Sequence, residues 1–150
     1  MPHSYTQLYY HIVFSTKNRE PMMDRALRQK LFPFIGGGIR DEGGTALIIN
    51  GVEDHVHILA RLRPDRALSD VLRNIKAYSS GWVHKEFPER SAFVWQNGYA
   101  AFTVSRSQLD IVRRYIENQE EHHRKQTYQE ELLALLRAHD IEFDERYLWD

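Results

Sequence analysis

The chain has 150 residues, no cysteine and a formal net charge of −1, with 42% hydrophobic and 27% charged residues. This is the composition of a globular chain long enough to bury a core as one domain, and it excludes disulfides and a thiolate zinc site. The near-neutral balance argues against a generic basic coat for nucleic acid. No apolar run approaches a membrane-spanning length, so a cytoplasmic location is the default expectation.

The average hides an uneven distribution. Residues 1–40 carry six basic and two acidic side chains, and residues 61–90 carry seven basic against four acidic. Residues 117–150 carry four basic against ten acidic. A basic front and an acidic rear can still serve an anionic ligand if the basic parts converge in the fold.

In chain order, the aromatic and β-branched run Tyr5 to Thr16 predicts a first strand. Apolar spacing through Ala26, Leu27, Leu31, Phe34 and Ile35 predicts a helix over about 24–40. Gly36-Gly37-Gly38 weakens that helix and reads as its end or as a close packing contact. It is no phosphate loop, because no Gly-Lys-Ser/Thr follows. Thr45 to Asn50 is a second strand with a turn signal at Asn50-Gly51, and Asp54 to Arg63 is a third, stopped by Pro64. Leu68 to Phe87 is a second helix, closed by Pro88. Ala92 to Val104 is strand-like, interrupted by a hairpin or bulge at Asn97-Gly98. Ser107 with Asp110 resembles a capping box for a third helix, and Thr127 with Glu130 a second box for a leucine-rich last helix. The predicted fold is α+β: a ferredoxin-like or RRM-like split βαβ sandwich with an antiparallel sheet and helices on one face. It is one domain over residues 1–150, with the core at about 1–105 and two further helices at about 106–150.

Within the third strand, alternation puts His55 and His57 on one face and Val56 and Ile58 on the other. Two neighbouring neutral imidazoles can chelate a divalent ion of the transition-metal type. Taken alone, the pair fits surface histidines on a half-exposed strand at least as well. In the third helix Tyr115 and Gln119 stand four residues apart and share a face. Gln119 could offer an amide oxygen to a metal and Tyr115 a phenolic oxygen to an electrophile, although a core-facing aromatic is the simpler account of Tyr115. A phenol with a pKa near 10 needs activation or a strongly polarised target.

These residues together resemble the HUH-type single-tyrosine transposases of small bacterial insertion sequences, the TnpA-like or transposase 17 superfamily. The resemblance runs through Tyr10 to Arg19, Val52 to Leu59, Trp95 to Tyr99, Tyr115 to His123 and the tail Phe143 to Trp149. It implies metal-dependent cleavage and rejoining of single-stranded DNA at insertion-sequence ends through a 5′-phosphotyrosine intermediate. By position, His55, His57 and Gln119 become ligands of Mg2+ or Mn2+, and Tyr115 the nucleophile. It further implies hairpin recognition and a homodimer in which the tyrosine helix can complete the partner's site. Ser105-Arg106-Ser107 offers a short hinge for such a helix.

Near-neutral charge leaves DNA affinity to local clusters, for which Lys17, Arg19, Arg61, Arg63, Arg73 and Lys76 are the candidates, with Trp95 and Tyr99 as stacking platforms. Asp54 could orient a histidine through its second nitrogen. His122 and His123 are adjacent on a helix and cannot chelate jointly, so neither joins the metal set, and His11 is unassigned. Two other readings use the same chain: a hairpin-cutting relative that no longer mobilises an element, and a non-catalytic RNA-binding sheet stacking bases on Tyr9, Tyr10 and Phe14.

Overall fold

Alternation along the strands decides which side chains meet which helices. The structure is a computed structural model that describes residues 3–149; residues 1, 2 and 150, at the ends of the expected domain, lie outside the described residues. The strands are β1 (Leu8–Ser15), β2 (Thr45–Gly51), β3 (His55–Leu62) and β4 (Ala100–Val104). They form one antiparallel sheet in the order β2-β3-β1-β4. The helices are α1 (Arg25–Asp41), α2 (Leu68–Glu86), α3 (Leu109–Glu117), α4 (Gln119–His122), α5 (Tyr128–Ala138) and α6 (Glu145–Leu148). The first six elements follow the β-α-β-β-α-β order of the ferredoxin-like sandwich.

One sheet face carries Ile12, Phe14, Val56 and Ile58 against Leu27, Leu31 and Ile35 of α1 and Leu72 and Ile75 of α2. The triple glycine lies inside α1, not at its end. A Cβ on Gly38 would lie 2.9 Å from Ile75 Cδ1, so Gly38 serves close α1–α2 packing.

The other face is not open. Val13 and Phe102 pack with Leu132 and Leu136 of α5, and Leu59 with Leu109 and Ile116 of α3. The two helices of the sandwich, α1 and α2, share one face as expected; the two further helices had no expected face, and the apolar stripes of α3 and α5 find their partner in the second sheet face. Two corrections follow. His55 and His57 are fully buried rather than half-exposed. Nor does a free sheet face remain for base stacking: Tyr9 and Phe14 are buried and Tyr10 packs against the first core, which removes the RNA-binding reading.

Two boundaries also differ. The fourth strand covers only Ala100–Val104, and the loop before it runs beside the end of β1, with an isolated Thr16–Trp95 bridge and Gln96 N–H donating to Ser15 O at 2.9 Å. The Ser107–Asp110 box does not form, because a 3-10 turn over Arg106–Gln108 precedes α3 and Ser107 Oγ meets Ser105 Oγ at 3.1 Å. The Thr127–Glu130 box does form and opens α5. Among the described residues no helix is long and apolar enough to cross a membrane.

Candidate metal and nucleophile site

The site lies on the second sheet face, between β3, the α3–α4 segment and α5. Gly51 fixes the turn that begins β3: Val52 N–H donates to His55 O, and a Cβ on Gly51 would come within 2.2 Å of that oxygen. Register then sets Val13 opposite His57 and Ser15 opposite His55. The last carbonyls of α3 lack helical partners, and Asn50 Nδ2 donates to two of them, Ile116 O at 2.9 Å and Glu117 O at 3.2 Å. Arg25 and Arg28 reach Glu120 from α1 at 3.2 and 3.4 Å, so the tyrosine segment is held at both the sheet and the first helix.

The expected residues meet within one chain. His55, His57 and Gln119 are fully buried, and Tyr115 is partly buried beside them. A residue the sequence reading missed, Glu131 of α5, stands at their centre and is 1% exposed. Its Oε1 lies 2.9 Å from His57 Nε2, 3.3 Å from His55 Nε2 and 3.0 Å from His123 Nε2. Its Oε2 accepts from the Tyr115 hydroxyl and, at 3.2 Å, from Gln119 Nε2. Asp54 is placed as expected, with Oδ1 2.7 Å from His55 Nδ1. His11, unassigned in the sequence, meets His57 Nδ1 through its Nε2 at 2.8 Å.

Burial and partners oppose each other here. Burial lowers His57 to about 4 although the Glu131 hydrogen bond pulls upward, and burial, then the neighbouring His57, lowers His11 to about 3. Burial also acts to lower His55, but its bonds to Asp54 and Glu131 outweigh it and the net shift is upward. For Glu131 burial acts to raise the pKa, and the hydrogen bonds from His123, His55 and His57 outweigh it, leaving the carboxyl well below its usual range. Burial, followed by the Glu131 charge, pushes the Tyr115 phenol up. Without another cation nearby, Tyr115 is a protonated phenol.

The residues present fit a divalent ion. Ligand-capable atoms of His55, His57, His123 and Glu131 all lie within 4.8 Å of one another. Imidazole nitrogens with a carboxylate are donors of the kind first-row transition ions prefer.

The proposed DNA contacts are scattered. Lys17 is exposed, and Arg61 is exposed beside Thr45 Oγ1 at 3.4 Å. Arg63 pairs with Asp65 and Arg73 with Asp70. Arg19 is partly buried over the Trp149 ring. Lys76 donates to Gln96 O and Gly98 O and is lowered by burial to about 8. Trp95 is buried, its Nε1–H bonded to Ser79 Oγ at 2.9 Å, and is a core residue rather than a platform. Tyr99 is exposed and, with Arg73 and Lys76, lines a groove of about 530 Å³. That groove reaches Gln96, which accepts at 3.5 Å from Tyr128, the ring stacked on His55.

Residues 4–119 match the family described as "Transposase IS200 like", and the chain belongs to that family. It is a transposase, a DNA-processing enzyme of a family that depends on metal in general. The ISDra2 transposase TnpA of Deinococcus radiodurans is 24% identical over 118 residues, covering 75% of this chain and 84% of that relative. A crystal structure of a Deinococcus radiodurans protein assigned as a transposase shares the fold, with a TM-score of 0.63 at 23% identity over 78% of this chain and 94% of that one. So does a REP-associated tyrosine transposase bound to a REP hairpin, with a TM-score of 0.55 at 17% identity over 78% of this chain and 67% of that one.

Proposed function

We propose that this transposase cleaves and rejoins single-stranded DNA at insertion-sequence ends, with Tyr115 as nucleophile and His55, His57 and Gln119 holding Mg2+ or Mn2+. The observation that carries this reading is that the Tyr115 hydroxyl donates to Glu131, the same carboxylate that meets both imidazoles. A divalent ion held there would supply positive charge to polarise the scissile phosphate and offset charge on its oxygens.

The chain's own residues do the rest. Glu131 Oε2 fixes the direction of the phenol oxygen and receives its proton as the new O–P bond forms. Held well below the usual carboxylate range, Glu131 is a weak base, so proton transfer accompanies attack instead of preceding it. The P–O3′ bond breaks, the 3′-oxygen leaves as a hydroxyl with a proton from solvent, and the 5′ side remains on Tyr115 as a phosphodiester. Attack of a 3′-hydroxyl on that ester reverses the step and rejoins DNA without ATP, because one phosphodiester replaces another.

The DNA we propose is a hairpin-bearing end, engaged along the Arg73–Lys76–Tyr99 groove. One chain supplies Tyr115 and both histidines, so in this arrangement the site works in cis. In a homodimer, exchange of tyrosine helices would first have to break the Tyr115–Glu131 bond. The test is a denaturing gel of protein incubated with a single-stranded oligonucleotide from the gene's own flanks and Mn2+. A covalent adduct is expected, absent in Tyr115→Phe and with chelator. An adduct that persists in Tyr115→Phe overturns the assignment.

A further inference from the structure

His123 and Glu131 lie outside the ligand set proposed above, yet they complete a ring of acceptors. His123 Nδ1 is 2.7 Å from Gln126 O, a carbonyl that can only accept, so in the neutral ring the proton sits on Nδ1 and Nε2 carries a lone pair. That lone pair faces Gln119 Oε1 at 2.9 Å and Glu131 Oε1 at 3.0 Å, both acceptors. His55 repeats the pattern. Its Nδ1 is held by Asp54 Oδ1, which turns Nε2 toward Glu131 Oε1 at 3.3 Å and Gln119 Oε1 at 3.4 Å. The orientation of the Gln119 amide follows from its other end, where Nε2 donates to Glu131 Oε2 and Tyr115 O. With both rings neutral, lone pairs from two elements and a carboxylate from a third therefore converge in a buried space, an arrangement that a proton or a metal cation among them relieves.

We propose that in the DNA-free protein His123 and Glu131 are ligands of the same divalent ion as His55, His57 and Gln119, and that this ion is a first-row transition metal rather than magnesium. The proposal rests on the metal reading given under Proposed function and extends its ligand set. Three features of the geometry support it. Glu131 Oε1 stands 2.9–3.3 Å from the three ring nitrogens, close to the edge of a coordination shell with bonds of about 2.1 Å, which is about 3.0–3.4 Å. The far nitrogens of His55 and His123 are each held by an oxygen, the arrangement that orients metal-bound imidazoles. Three imidazoles in one set favour manganese, cobalt or zinc over magnesium, which prefers oxygen ligands and its own water. One ion then ties α5, through Glu131, and the segment after α4, through His123, to the sheet.

The test uses the full chain stripped of metal and titrated calorimetrically with Mn2+ and with Co2+. One ion per chain is expected, with affinity reduced at least about tenfold in Glu131→Gln and in His123→Ala, more than the usual effect of a residue that only supports a ligand. The visible spectrum of bound Co2+ should change in both variants. In the wild type, Mn2+ should slow amide hydrogen exchange across residues 128–138, a readout that does not depend on how the variants fold. Unchanged affinity and spectrum in both variants, with α5 exchange unaltered by Mn2+, overturns the proposal. If His57→Ala then still loses the ion, the three-residue metal reading survives. A wild type that binds neither ion defeats both. Magnesium displacing Mn2+ at equal concentration overturns the assignment of metal class.

Discussion

Acid should unfold the metal-free protein through its histidine cluster. His11 and His57 are buried and joined at 2.8 Å, and burial lowers them to about 3 and about 4 from an ordinary 6.5. The unfolded chain takes a proton on each near pH 6.5, whereas the folded chain resists until about pH 4. For a base with a depressed folded pKa, stability is complete above the unfolded pKa and declines as pH falls below it. Each such histidine costs about 1.4 kcal/mol per pH unit. Two of them acting from about pH 6.5 to 4.5 remove about 5 kcal/mol, comparable with the whole stability of an ordinary domain. His55 does not cancel this, because its raised pKa adds stability as pH falls toward 6.5 and nothing further below. Glu131, held low, adds a further loss only below its unfolded value of 4.5. Urea unfolding in chelator at about pH 7.5, 6.5, 5.5 and 4.5 measures the slope. Replacing His11 by Gln should reduce it by up to about 1.4 kcal/mol per unit. A stability that is flat or rising between pH 6.5 and 4.5 would refute the reasoning.

Two further substitutions probe the scaffold and the DNA path. Gly51→Ala drives a methyl into His55 O and should cost about 1–3 kcal/mol, lowering Tm by about 2–4 °C per kcal/mol and weakening metal binding with it. Unchanged Tm by calorimetry would mean the turn relaxes freely. Arg73→Glu, in the groove beside Lys76, should lower single-stranded DNA affinity and reduce the slope of log K against log salt by about 0.7 if one phosphate contact is lost. An unchanged slope in a fluorescence titration removes Arg73 from the interface.

Much of the site was legible because it rests on two simple periods. Alternation placed His55 and His57 together, and helical spacing placed Tyr115 over Gln119, with Gln119 Nε2 now 3.4 Å from Tyr115 O. What the sequence hid was depth. Nothing local says that α3 and α5 fold back over the second sheet face, so the histidines read as half-exposed when they are buried. Glu131 was missed among the ten acidic residues of the rear segment. It sits between Tyr128 and Leu132 on the buried stripe of α5, and a carboxylate at an apolar position of an amphipathic helix was the available signal. His123 was set aside as half of an unusable His122–His123 pair, although its i+4 relation to Gln119 lies wholly beyond the break at Asn118, with His123 N–H bonded to Gln119 O at 3.0 Å. Ser107 failed as a cap because a 3-10 turn, which spacing alone cannot distinguish from a first helical turn, comes first.

The central claim is that a single chain brings its own Tyr115 onto its own histidine pair, and subunit complementation tests it most directly. Tyr115→Phe chains lack the nucleophile and His57→Ala chains lack a ligand. Each is mixed with the other and offered single-stranded end DNA with Mn2+, beside wild type. The account predicts an adduct for wild type and none for the mixture. An adduct formed by the mixture would contradict it, because only a tyrosine helix reaching across to the partner's histidines could supply one.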